Sequence, residues 1–344
     1  RVGRNPAGAQ MTDPILSVGD LTATFGQGAS ALRAVNEVSF DVMPGEVLGL
    51  VGESGSGKSV TLRSLLRLLP VGGHVGGSVL WHGRDIVHMN DTDLRAVRGG
   101  QISMIFQEPM TALNPVLPVR VQIEENLRAH TDLDRKGRNA RAKELMDLVG
   151  IPDAARRLDE FPHQFSGGMR QRVMIAIALA SDPKLLLADE PTTALDVTIQ
   201  DQILNLILDL RDELAMSVVL VTHDLGVVAA TCDRMAVMYA GRIVEEGDVR
   251  EVFAQPRHAY TRGLLGSIPQ AGTERSMLLS IDGTPPGLTA IPQGCAFNPR
   301  CDFATDVCRK TRPHLTGEGH RAACHNSAAV IAAGSPVKKA LSHV

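Results

Sequence analysis

The run Gly52-Glu53-Ser54-Gly55-Ser56-Gly57-Lys58-Ser59 fits the pattern GxxxxGK[ST], and Val60 carries it into an apolar helical face that reaches Leu69. The apolar segment Glu46 to Val51 comes directly before it, so the order is strand, glycine loop, helix. Each residue type has a task in such a loop. Glycines let backbone amides converge on phosphate oxygens, Lys58 reaches the β and γ phosphates, the Ser59 hydroxyl ligates magnesium, and the helix presents its positive end. Further strands at Leu185 to Ala188 and Val218 to Val221, with helices between them, give the alternation of a parallel α/β sheet.

Asp189 and Glu190 follow the apolar strand Leu185 to Ala188, at the end from which this fold aims side chains at the phosphate loop. Asp189 is expected to hold magnesium, directly or through water. Glu190 is expected to orient and polarise the attacking water, the step that phosphoryl transfer leaves to the protein. His223, just past the Val218 to Val221 strand, is placed to reach the γ phosphate, or else is structural. Phe165 to Arg172 contains Ser166-Gly167-Gly168 at a helix start without a lysine. That reads either as a second phosphate-binding helix end or as an ordinary serine N-cap.

The 344 residues correspond to about two domains. With 44% hydrophobic and 21% charged residues, the composition excludes disorder and a coiled-coil rod. A net charge of −3 excludes a global positive field for nucleic acid or anionic membranes. The basic run Arg135, Lys136, Arg138, Arg141 and Lys143 has no interleaved aromatics and reads as a solvated helix face rather than a nucleic-acid surface. No apolar run approaches the roughly 20 residues of a membrane span, and no signal peptide is recognised, so a reducing cytoplasmic setting is expected.

Residues 1–10 read as a non-native or disordered extension before Met11. A nucleotide-binding domain is expected over 11–255, with a helical part over about 108–180 and one long helical stretch at Val121 to Leu148 broken by Gly137. A small domain of little regular structure, rich in proline and cysteine, is expected over 256–326, followed by a tail over 327–344 that should fray.

Cys295, Cys301, Cys308 and Cys324 fall within thirty residues. Four thiols so close suit zinc or an iron–sulfur cluster, but the spacing lacks CxxC pairs and favours neither; free thiols in a small apolar pocket are the other reading. His314, His320 and His325 are possible substitute ligands, and Cys232 reads as a buried small hydrophobe.

Taken in order, Gly52 to Ser59, Gln107, Phe165 to Gln171, Asp189-Glu190, Ala194-Leu195-Asp196 and His223 resemble the nucleotide-binding subunit of ATP-binding cassette (ABC) transporters. The resemblance implies a P-loop ATPase domain with a parallel core, an antiparallel β-subdomain and a helical subdomain. It implies ATP and Mg2+ shared across a head-to-tail dimer, with Ser166, Gly167, Gly168 and Asp196 acting on the partner's nucleotide, and it counts Gln171 among the nucleotide-binding residues. Gln107 would contact magnesium and the attacking water, and Phe25 would stack on adenine. Met169 replaces the glutamine usual after the two glycines, with Gln171 two further on.

Glu108-Pro109-Met110-Thr111-Ala112-Leu113-Asn114-Pro115, His258-Ala259-Tyr260-Thr261, Leu264-Leu265, Ser267-Ile268-Pro269 and the cysteine segment narrow the resemblance to the ATPase subunits of dipeptide and oligopeptide importers. It covers about Ile15 to His325. It implies two membrane permeases, an extracytoplasmic binding protein, and a second ATPase that is either non-identical or a copy of this chain. The expected location is the cytoplasmic face of the inner membrane. Importers with the same tail also move nickel, glutathione or antimicrobial peptides. In these subunits the cysteine region is associated with a 4Fe-4S cluster, which the resemblance assigns to the four cysteines.

Overall fold

The computed structural model describes residues 13–26, 28, 31–108, 112–193, 195–268 and 281–337. The expectations for residues 1–10, Met11, Pro109 to Thr111, Ala194, Pro269 and the tail beyond 337 lie outside the described residues. Its strands are β1 (Leu16–Phe25), β2 (Leu32–Val42), β3 (Val47–Val51), β4 (Gly73–Trp81), β5 (Arg84–Asp85), β6 (Ile102–Ile105), β7 (Leu185–Asp189), β8 (Ser217–Thr222), β9 (Arg234–Tyr239), β10 (Arg242–Asp248) and β11 (Arg321–Ala322). They form an antiparallel sheet of order β2-β1-β4-β5 and a seven-stranded sheet of order β11-β10-β9-β3-β8-β7-β6. β3 pairs in parallel with β8 and β9, and β7 in parallel with β8 and β6.

The central strands β3, β7 and β8 are buried along their whole length and mostly apolar, because both of their faces are covered. Leu186, Ala188, Val218 and Leu220 point into one hydrophobic cluster, whereas the alternating Leu185, Leu187, Val219 and Val221 point into another. The first cluster is closed by the helices Val119–His130, Arg135–Leu148, Gly167–Leu179 and Val197–Leu214, and the second by the antiparallel sheet with the helix Lys58–Leu65. Sandwiched in this way, the strand ends are fixed, and the loops that follow β3, β7 and β8 open on the same edge.

Three expectations need correction. The stretch Val121 to Leu148 is two helices, and the break lies at Thr131 to Asp134 rather than at Gly137. Asp134 caps the second helix by accepting the Gly137 N–H at 2.7 Å, so the glycine sits in the first turn of a helix that its neighbour starts. The helix after the phosphate loop is shorter than read, Lys58–Leu65, because Arg67 takes a left-handed conformation (φ 52°). The tail does not fray over 327–337: Ser327–Ala332 is a helix whose Val330 is fully buried, and Val337 is 3% exposed.

The chain beyond 256 contributes β11 to the edge of the main sheet, pairing Ala322 with Glu245 and Arg321 with Glu246. Tyr260, Leu265, Phe297 and Val330 share a third cluster with Val51, Val237 and Tyr239. Cys232 packs against this cluster, with its sulfur 3.0 Å from where a Cβ at Gly49 would stand, and burial pushes its thiol up to about 12. In the basic run, Arg141 pairs with Glu144 and Asp182, and Lys143 with Asp147.

Candidate active site

The loop after β3 must be glycine where it is glycine. A Cβ on Gly52 (φ 153°) would stand 2.3 Å from the Met238 carbonyl oxygen, and one on Gly57 (φ 103°) 2.6 Å from that of Ala34. Ser54 and Gly55 are exposed at the loop tip, whereas Ser56 is buried. The Lys58 ammonium is buried and donates to the Gly52 and Glu53 carbonyls at 2.8 and 3.0 Å. Burial lowers its pKa, opposed by the charges of Glu190, Asp189 and Glu53.

Ser59 donates a 2.7 Å hydrogen bond to Oδ1 of Asp189, which is fully buried. Burial raises this carboxyl's pKa, and its Oδ2 has no partner. An orphaned buried carboxylate oxygen next to a hydroxyl is the hard-oxygen donor set that Mg2+ prefers, so these residues fit the metal.

Glu190 sits one residue past β7 at φ 46°, a left-handed backbone that costs a non-glycine residue about 1–3 kcal/mol and that aims its carboxylate along the strand edge. Three side chains converge on its Oε2: Thr193 Oγ1 at 2.9 Å, Gln107 Nε2 at 3.2 Å and His223 Nδ1 at 3.5 Å. The structure therefore brings Gln107, Glu190 and His223 together, from three different strand ends. Thr193 was missed in the sequence; its signal was a hydroxyl three residues past the acidic pair, close enough in the chain to turn back on it.

The other expected residues form a second, outward-facing set. Ser166 caps the helix Gly167–Leu179 by accepting the Met169 N–H, and Ser166, Gly167 and Asp196 are exposed. Gly168 is where the two helix starts meet, since a Cβ there would stand 2.8 Å from Ile199. The structure does not bring Gln171 to this surface. It is 1% exposed with a buried, unpartnered Nε2, because two residues on from Met169 the helix has turned inward. Phe25 ends β1, half-buried, and Val60 packs on the cluster beneath the antiparallel sheet.

The four cysteines all line one narrow cavity, with His258, Phe297 and Phe303. Burial pushes the Cys295 and Cys301 thiols up to about 11, whereas backbone N–H groups of Phe297 and Asn298 face Cys295 and that of Phe303 faces Cys301. Asn326 donates to Cys308 at 3.4 Å. Among the described residues, no group of three or more His, Cys, Asp or Glu is arranged to hold a metal ion. His325 lines this cavity but bonds the Thr311 carbonyl, His320 bonds Glu245 at 2.7 Å, and His314 lines a different cavity. No helix among the described residues is long and apolar enough to cross a membrane.

Two family models match the chain: ABC transporter over residues 35–193 and the oligopeptide/dipeptide transporter C-terminal region over 244–308. The oligopeptide transport ATP-binding protein OppD of Escherichia coli is 47% identical, covering 90% of this chain and 91% of its own. The dipeptide transport ATP-binding protein DppD of Haemophilus influenzae is 48% identical, covering 90% and 95%. The dimeric ATP-binding cassette MJ0796, in a post-hydrolysis state with ADP and Pi, superposes with a TM-score of 0.61 at 30% identity, over 68% of this chain and 99% of that one. The chain therefore belongs to the ATPase subunits of ABC transporters, in the dipeptide and oligopeptide importer family.

Proposed function

We propose that this ATPase drives the import of dipeptides or oligopeptides, as one half of a head-to-tail pair of ATP-binding subunits under two permeases at the cytoplasmic face of the membrane. What carries the reading is the C-terminal match shared with peptide importers, together with a site whose second half faces outward. Lys58 and the loop amides hold the phosphates of one nucleotide. Ser166, Gly167, Gly168 and Asp196 of the opposing subunit close over it, a reading supported by the exposure of Ser166, Gly167 and Asp196 in one chain. Phe25 stacks on the adenine.

Ser59 and Asp189 would hold Mg2+, which when bound neutralises charge on the β and γ phosphates. Glu190, steadied by Thr193, Gln107 and His223, accepts the proton of a water as that water's oxygen bonds the γ phosphorus and the bond to ADP breaks. For the cysteines, we infer a 4Fe-4S cluster from two features: all four residues line one narrow cavity, and backbone N–H groups face Cys295 and Cys301. Burial holds both thiols protonated and the four are not arranged around a single ion, so the cluster would have to draw them together and deprotonate them on binding. Iron and acid-labile sulfide, quantified in anaerobically purified protein, test this, and their absence sinks it.

The whole reading is tested by purifying the tagged Glu190→Gln chain with ATP from solubilised cells of its source. Two multi-span permeases and a second ATP-binding subunit should come with it, and bound peptides should stimulate the assembled complex. Recovery of nickel or glutathione transport components instead would replace the substrate, and recovery of no membrane protein would overturn the transport role.

A further inference from the structure

Arg300 lies one residue before Cys301, yet its guanidinium reaches into the phosphate loop. It grips Glu53 with both ends, Nη1 to Oε2 at 2.8 Å and Nη2 to Oε1 at 2.9 Å. Its Nε donates to the Asp282 carbonyl at 2.8 Å, and Nη2 also reaches the Gly283 carbonyl at 3.2 Å. The side chain is 6% exposed and stacks over Tyr239 and Phe297. The same loop residue is held from its backbone, where the Glu53 N–H donates to the Tyr260 hydroxyl at 2.7 Å. Tyr260 belongs to the helix Ala259–Gly266 and is itself fully buried.

Glu53 is an awkward residue in a phosphate cradle. Its carboxylate acts on the Lys58 ammonium, and its carbonyl is one of the two on which Lys58 rests. A free carboxylate there would compete with the triphosphate for Lys58 and repel it. A bidentate guanidinium, buried and anchored on the Asp282 and Gly283 carbonyls, cancels that charge and fixes the side chain, while the Tyr260 hydroxyl holds the backbone N–H of the same residue.

We propose that Arg300 is a positioning residue for ATP: the C-terminal segment sets nucleotide affinity by clamping and neutralising Glu53 of the phosphate loop. The inference rests on the phosphate-loop reading of Gly52 to Ser59. It makes the cysteine-bearing loop and the nucleotide site two ends of one connection, with no side chain between Arg300 and the loop it holds.

The test measures equilibrium binding of a trinitrophenyl ATP analogue, with ATP and magnesium as competitor, to the full-length chain and its variants. Arg300→Gln should raise the ATP dissociation constant about tenfold, within the range that couples two sites in one protein. Arg300→Lys, which keeps the charge and loses the fork, should fall between. Arg300→Gln combined with Glu53→Gln should recover most of the lost affinity, because the stranded carboxylate is gone; a merely structural role for Arg300 would give no such recovery. Wild-type affinity in Arg300→Gln, or a double variant as weak as Arg300→Gln, overturns the proposal. If Arg300→Gln does not fold, as read by its thermal unfolding, the comparison of Arg300→Lys with and without Glu53→Gln decides in the same way. Lys58→Ala separates the two readings: affinity that ignores Lys58 overturns the phosphate-loop reading and this inference together, whereas affinity that needs Lys58 but ignores Arg300 overturns this inference alone.

Discussion

Ser59 and Asp189 are 130 positions apart in sequence, and a 2.7 Å hydrogen bond joins them across the edge of the main sheet, leaving the second carboxylate oxygen of Asp189 buried without a partner. That oxygen is costly to bury for no purpose. Asp189→Asn should therefore remove the magnesium dependence of ATP hydrolysis and lower the rate about a hundredfold or more, the scale of the several kcal/mol a catalytic metal supplies. Steady-state phosphate release titrated with MgCl2 measures it, and an unchanged magnesium response would remove Asp189 from the metal site.

Glu190→Gln keeps the shape of the side chain and takes away the proton acceptor. Hydrolysis should drop by about 10²–10⁴-fold while ATP binding is retained. Because the product-forming step is blocked with nucleotide in place, ATP should also hold two chains together, visible as a dimer in size-exclusion chromatography. Normal turnover in this variant would refute the role given to Glu190.

His258 is wholly buried beneath the C-terminal segment, and burial pushes its pKa down to about 4. Its Nδ1 accepts the Tyr260 N–H at 3.0 Å, so the folded state needs the neutral ring. The unfolded chain takes up a proton near pH 6.5 and the folded chain only near 4, so stability present above about pH 6.5 is lost as pH falls through that window. Unfolding midpoints measured from pH 7 to 4 should fall less steeply for His258→Asn, which keeps an acceptor but cannot be charged. Parallel curves for the two proteins would show that His258 does not contribute.

Asp134 starts the helix Arg135–Leu148 from an exposed position. Asp134→Ala should cost about 1 kcal/mol of stability, the usual worth of an N-cap. Asp134→Asn, which can still accept from Gly137, should lose little, and equal losses in urea unfolding would mean that the cap is not what the aspartate supplies.

What could be read from the sequence was local. The phosphate loop and the Asp189-Glu190 pair announce themselves because each is a contiguous run whose backbone geometry and chemistry are set within a few residues. The two-faced burial of β7 and β8 is legible in the same way, as unbroken apolar runs. Arg300 and Glu53 are 247 positions apart and nothing near either one marks the other. Gly137 misled because glycine breaks helices on average, whereas here the aspartate three residues before it decides. Gln171 misled because a motif fixes spacing along the chain but not which way a helical side chain turns, and two residues rotate it from the surface into the core.

Among the described residues β11 is the last strand in sequence, and its two residues cover part of the edge of a sheet whose other strands are complete by Asp248. Until residues 321 and 322 are synthesised, β10 has an open side, and Glu245 waits for His320 and Glu246 for Arg321. At a translation rate of about 5–20 residues per second, that leaves several seconds in which the nascent ATPase presents an unsatisfied strand to its neighbours on the polysome. The order of residues along the chain thus leaves this edge to be covered only after every other strand of the sheet has been made.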